Sequence, residues 1–310
     1  MQLNKLISRP IAYVPLKTSL NLMMIEKTNF YLNFRSLRKR FFYPLISVIT
    51  ALSLCLATPS SALGVSIWDI LFQGAQIIQI SNISDKEEVR LGRQINQQLL
   101  RREVKLYRNS QINNYVKRIG KRLEAHNTRK NIPYTFQVVQ DNSINAFATA
   151  GGFVYINTGL IKAADNEAQL ASVVAHEIAH IEAKHVVKQM RKTAVARGLA
   201  TAAGVENSRW VQLGVELGFR RPNSRKAEEE ADQIGLRILT DAGYAPQAMV
   251  AFMEKLKNKS GSRVPTFLST HPSPANRVKY LQALVNSKRR KGNDGLSRTA
   301  YRRNIRPLLR

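Results

Sequence analysis

His176 and His180 stand four residues apart, with Glu177 directly after the first, and this spacing could do chemistry. Four helical residues make about 1.1 turns, so both imidazoles leave one face and can share one ion. Zn²⁺ accepts neutral imidazole nitrogen at about 2.0–2.1 Å. Glu177 would flank that ion without binding it, placed to act as general base toward a metal-activated water and to pass the proton to a leaving amine. The implied reaction is peptide-bond hydrolysis with one Zn²⁺ per chain. Leu170, Val173, Val174, Ile178 and Ile181 recur at helical spacing around the motif, which puts it on an apolar helix.

A catalytic zinc needs a third protein ligand and one open position. The single cysteine, Cys55, lies in an apolar run, so Cys-ligated zinc and intramolecular disulfides are excluded. Ala183 and Val186 stand where a metzincin continuation requires Gly and His. The third ligand must therefore come from elsewhere, and Glu228-Glu229-Glu230-Ala231-Asp232 offers the best candidates. Glu228 and Asp232 share a helix face: one can bind zinc while the other orients a ligating histidine through its free ring N–H. Glu229 and Glu230 read as a solvated face. His185, five beyond His180, falls off the zinc face and reads as structural, and His126 reads as a surface residue.

Several elements must position these groups. Residues 84–105 carry a capping-type start and helical spacing, and a second helix covers 110–125. Residues 134–139 and 153–157 are β-branched and aromatic runs, the second introduced by Gly151-Gly152, and both read as strands. Asp165 is a candidate N-cap for a long helix reaching about residue 190. Residues 193–219 are rich in Ala and Gly, with helical character and enough glycine to permit a lid over the site. Helices over about 224–242, 246–257 and 273–286 follow. The fold class is α+β, mostly helical with a small sheet.

The chain divides into residues 1–62, 63–286 and 287–310. The first part holds a basic patch at 35–40, an apolar run at 41–57 and small residues up to Ala62, the order of a signal peptide cleaved after Ala62 or of an uncleaved membrane anchor. Localisation is then exported, on the periplasmic side or membrane-associated, or in an organelle. Formal net charge is +27; residues 1–62 hold eight of the 48 bases and one of the 21 acids, which leaves about +20 on the rest. The last part reads as a mobile basic tail, either solvated without a partner or resting on an anionic membrane surface. No nucleic acid is expected, because no recognised binding motif or interleaved aromatic stripe accompanies the charge.

Four blocks in order resemble the membrane-associated zinc endopeptidase family of the CAAX prenyl protease, HtpX, BepA and LoiP. They are Asn145-Ala146-Phe147 with Gly151-Gly152-Phe153-Val154; the His176–His180 motif; Ser224-Arg225 with Glu228, Ala231-Asp232 and Gly235; and Thr270-His271-Pro272 with Arg277. The resemblance covers roughly residues 84–286 and is strongest to the compact exported members. It implies a zincin-like (gluzincin) domain whose sheet has an edge strand beside the cleft, identified with residues 153–157. It assigns Glu228 as the third zinc ligand and Asp232 as the carboxylate behind a ligand. His271 becomes either a closed-state occupant of the open position or a transition-state donor, and Arg277 orients its loop or forms an ion pair. Asn145, Phe147, Gly151, Gly152, Phe153, Val154 and Tyr155 become the substrate-binding residues, to which an extended peptide adds as a strand. Substrates would be unfolded or misassembled envelope polypeptides. The alternative is a chaperone-like client-binding module with a shut, weakly active site.

Overall fold

The computed structural model describes residues 83–196, 207–258, 265–272, 277–287 and 292–310. The signal-peptide or anchor reading of residues 1–62 lies outside them. The first helix, α1 (Asp85–Arg102), opens with a full capping box between Ser84 and Glu87, which satisfies two of the otherwise unpaired helix-start donors. Helix α2 (Ser110–Glu124) starts at Asn109, whose side chain accepts from the Ile112 amide. Three strands follow: β1 (Thr135–Val139), β2 (Ala146–Thr149) and β3 (Phe153–Asn157).

The sheet order is β1-β3-β2. Strand β3 pairs in parallel with β1 and antiparallel with β2. This corrects the expectation that residues 153–157 form the edge. The physical reason is long-range pairing: β1 takes one side of β3 and β2 the other, and Val154, Tyr155, Ile156 and Asn157 are all buried between them. Phe153, Val154 and Tyr155 therefore have neighbours on both sides, and the edge beside the motif helix is β2. Gly151 and Gly152 join β2 to β3 at φ 76° and 93°. A Cβ on Gly151 would lie 2.8 Å from the Glu88 carbonyl oxygen, so the pair makes a tight turn pressed beneath α1.

After a short helix α3 (Thr158–Ala163), the chain enters α4 (Glu167–Glu182), buried on every side from Ala168 to Ile181. Its N-cap is Asn166, not Asp165; the Asp165 carboxylate is taken by Lys255 at 2.6 Å. The expected long helix also breaks. Lys184 adopts φ 56°, and a separate helix α5 (His185–Ala196) begins beyond it. Next come α6 (Asn207–Val215), which runs into a π-helical turn Glu216–Arg220, and α7 (Arg225–Asp241).

Helix α7 packs against α4 at Gly235, where an added Cβ would lie 3.1 Å from the His176 backbone N and Cα. The remaining helices are α8 (Gln247–Asn258), α9 (Thr266–Thr270), α10 (Arg277–Ser287) and α11 (Arg298–Asn304). The last of these overturns the expected mobile tail. Tyr301 and Ile305 are buried in the main core, and the Tyr301 hydroxyl donates to the Ile161 carbonyl. Apolar anchors at four-residue spacing dock the segment despite its charge.

Candidate metal centre

Helix α4 presents His176, Glu177 and His180, α7 brings Glu228 and Asp232, and the end of α9 delivers His271. All six are buried. His176 Nε2 lies 3.0 Å from His180 Nε2 and 3.2 Å from Glu228 Oε2. Glu228 Oε1 lies 3.4 Å from His180 Nε2 and 3.2 Å from His271 Nδ1. Ligands about 2.05 Å from a tetrahedral ion sit about 3.3 Å from one another, so these separations suit one Zn²⁺.

Unsatisfied polar atoms point the same way. Both carboxylate oxygens of Glu177 and Oε2 of Glu228 are buried without a hydrogen-bond partner. His176 and Arg277 approach Glu228 Oε2 to 3.2 and 3.3 Å, but as ion-pair neighbours without hydrogen-bond geometry. Buried carboxylates left bare are costly unless a cation joins them. His, His and Glu are also a donor set that zinc favours.

Supporting groups fix the ring orientations. Asp232 Oδ1 lies 3.1 Å from His176 Nδ1, and Arg277 grips Asp232 with Nε at 2.6 Å and Nη2 at 2.7 Å. Arg277 Nη1 also donates to the His271 carbonyl at 3.4 Å. One guanidinium thus both pairs with the carboxylate behind His176 and holds the His271 loop. Behind His180 stands His185, with Nδ1 to Nδ1 at 2.8 Å, followed by Glu230 at 3.2 Å from His185 Nε2. Sequence spacing missed these two residues, because the break at Lys184 returns His185 to His180.

Electrostatics follow from burial and neighbours. Burial pushes the Glu177 carboxyl up. It pushes His180 well down, toward the neutral imidazole a metal ligand must be, and His271 and His176 push the same way. Burial would lower His176, but the neighbouring carboxylates of Asp232 and Glu228 outweigh it and raise it to about 9. Burial opposes ionisation of Glu228, yet the surrounding His271, His176 and His180 hold it well below the usual carboxylate range.

The expected substrate-binding residues separate into two groups. Phe147 lines the small cavity over the centre and meets Phe219 of the π-helical turn in a tilted ring contact, with centroids 4.8 Å apart. Asn145 accepts from Thr270 Oγ1 at 3.2 Å, which ties β2 to the His271 segment. Gly151, Gly152, Val154 and Tyr155 are in the fold's interior; the Tyr155 hydroxyl donates to Asn96 on α1. The cavity, bounded by β2, Glu177, His271 and the turn carrying Gly218 and Phe219, has a volume of about 10 Å³. That is room for about one water.

Residues 110–285 match the model of peptidase family M48. The chain is similar to the beta-barrel assembly-enhancing protease of Escherichia coli (strain K12), 33% identical over 213 residues that cover 64% of this chain and 44% of the relative. It is also similar to the putative beta-barrel assembly-enhancing protease of Vibrio cholerae, 35% identical over 183 residues, 54% of this chain and 38% of that one. The mitochondrial metalloendopeptidase OMA1 of Schizosaccharomyces pombe is 31% identical over 173 residues, 54% of this chain and 51% of the relative. The chain thus spans about half the length, or less, of these relatives.

Proposed function

Because the chain belongs to peptidase family M48, we propose that it is a zinc-dependent endopeptidase in which His176, His180 and Glu228 hold the ion. The observation that carries this is the buried quartet spaced for one tetrahedral ion, with the bare carboxylate of Glu177 beside it. Zinc, when bound, supplies Lewis acidity toward water and the scissile carbonyl. Glu177, raised by burial, is poised to take a proton from the attacking water and to give it to the amine as the C–N bond breaks. His271 Nε2 lies 3.5 Å from Glu177 Oε1 and its Nδ1 3.2 Å from Glu228 Oε1, which supports His271 as the occupant of the open position in a closed state.

Strand β2 is the edge to which an extended peptide adds. Main-chain pairing there tolerates many sequences, which favours unfolded or extended polypeptides. Similarity to proteases named for β-barrel assembly supports misassembled envelope proteins as the substrate class, and the mitochondrial relatives support an organelle as the alternative setting. The exposed Arg302, Arg303 and Arg306 support contact with an anionic membrane surface beside such substrates.

The near-closed cavity favours a second reading, client binding with a shut site. Zinc content and casein cleavage of the full chain and of Glu177→Gln separate the two. One zinc per chain in both, with cleavage lowered about 10²–10⁴-fold in the variant, supports the peptidase. Zinc in both, no cleavage by either and retained client capture support the binder. Folded protein without zinc sinks both readings.

A further inference from the structure

Lys184 is the single non-glycine residue at positive φ among the described residues. L side chains adopt that region at a cost, and such positions concentrate where function needs the geometry. Here the consequence is specific. In an unbroken helix His185 would stand about 140° around the axis from His180 and could not meet its ring. The kink at Lys184 instead starts α5 at His185 and brings the two Nδ1 atoms to 2.8 Å. His185 is itself buried.

We propose that His185 and Glu230 are positioning residues for His180, a two-member relay that fixes which nitrogen His180 offers to the metal. The inference rests on the reading of His180 as a zinc ligand. His180 Nε2 is the atom that converges on His176 Nε2 and Glu228. A ring that binds through Nε2 carries its proton on Nδ1, and that proton meets Nδ1 of His185. An imidazole accepting at Nδ1 must carry its own proton on Nε2, which lies 3.2 Å from Glu230 Oε2. Each donor then has one acceptor, and the series ends on a carboxylate.

His176 is held differently, with Nδ1 directly on Asp232. The two histidine ligands thus have unequal support: a deeply buried carboxylate behind one, and behind the other a histidine leading to a carboxylate whose side chain is 44% exposed. Glu228 and Glu230 belong to the same helix, so α7 supplies both a ligand and the far end of the relay. Glu230 thereby acquires a role that a solvated-face reading misses.

The test uses the full chain and four variants: His185→Ala, His185→Asn, Glu230→Gln and, as control, the exposed Glu229→Gln. The readouts are the zinc dissociation constant, by competition with a chelator, and the visible spectrum of the cobalt(II)-substituted protein. Removing a group behind a metal ligand costs about 10–100-fold in metal affinity, and that loss is expected for His185→Ala together with a displaced cobalt spectrum. His185→Asn, whose Oδ1 replaces the lost acceptor near the position of Nδ1, restores most of both. Glu230→Gln gives a smaller loss and Glu229→Gln none.

The proposal is overturned if His185→Ala keeps the unaltered constant and spectrum while the unaltered protein binds one zinc. It is equally overturned if both His185 variants lower the melting temperature of the metal-free protein and leave the spectrum unmoved, the signature of a purely structural residue. If His185→Ala does not fold, the comparison of Glu230→Gln with Glu229→Gln decides, and equal constants overturn the relay. Failure of the unaltered protein to bind zinc would instead remove the ligand reading itself.

Discussion

Replacing Arg277 by Met tests whether one guanidinium holds the acidic floor of the centre together. Glu177, Glu228 and Asp232 are each fully buried, and Arg277, only 2% exposed, is the permanent cation among them. Its Nε and Nη2 reach the Asp232 carboxylate at 2.6 and 2.7 Å, and Nη1 reaches Glu228 at 3.3 Å. Met fills much of the volume, so the loss is chiefly electrostatic. Removing one member of a buried pair costs about 3–5 kcal/mol, because the partner is left charged and unsolvated. A domain of this size loses about 2–4 °C of melting temperature per kcal/mol, so metal-free Arg277→Met should melt ~6–20 °C lower. The assay is thermal and urea unfolding with a chelator present, so that zinc cannot mask the effect. Asp232→Asn in the same chain should recover part of the loss, since it removes the stranded charge, and the double-mutant cycle reads the coupling directly. A loss below about 1 kcal/mol, the worth of an exposed pair, would refute the reasoning.

Gly235→Ala should destabilise the protein by about 1–3 kcal/mol and weaken zinc binding, because the new methyl meets the His176 backbone at 3.1 Å and pushes α7, with Glu228, off α4; unfolding and chelator competition check this, and unchanged values would show that the helices give way freely. Tyr301→Ala should cost about 3–5 kcal/mol, since it empties a buried ring site and breaks the bond to the Ile161 carbonyl; a neutral result by urea denaturation would return the C-terminal segment to a solvated tail. Asp85 has its carboxyl lowered first by the Arg129 hydrogen bond, so it contributes stability above its unfolded value that is lost as pH falls through the folded one. Asp85→Asn should therefore flatten the acid limb of the stability profile below about pH 4, measured by unfolding across that range, and an unchanged slope would discount the pair.

Much of the centre follows from local rules. The four-residue spacing of His176 and His180 requires only a helix, and the apolar residues around them make one. The same rule puts Glu228 and Asp232 on one face of α7 and starts that helix at Ser224. Residue types alone exclude sulfur ligands and point to zinc with a carboxylate base. Other features were not legible, because they depend on which chain segments become neighbours. Strand β3 takes the centre of the sheet because β1 pairs with its second side, a long-range choice absent from the pattern of residues 153–157. The basic C-terminal segment docks through two apolar anchors whose pocket is built by distant elements, so charge counting misplaced it. The placement of His185 turns on a single backbone angle at Lys184. The sequence by itself therefore determined the metal, the motif helix and the candidate ligands, since helical periodicity and ligand chemistry are local. Only the tertiary structure decided which strand edge faces the centre, what covers it and what stands behind each candidate ligand, since those contacts join residues far apart along the chain.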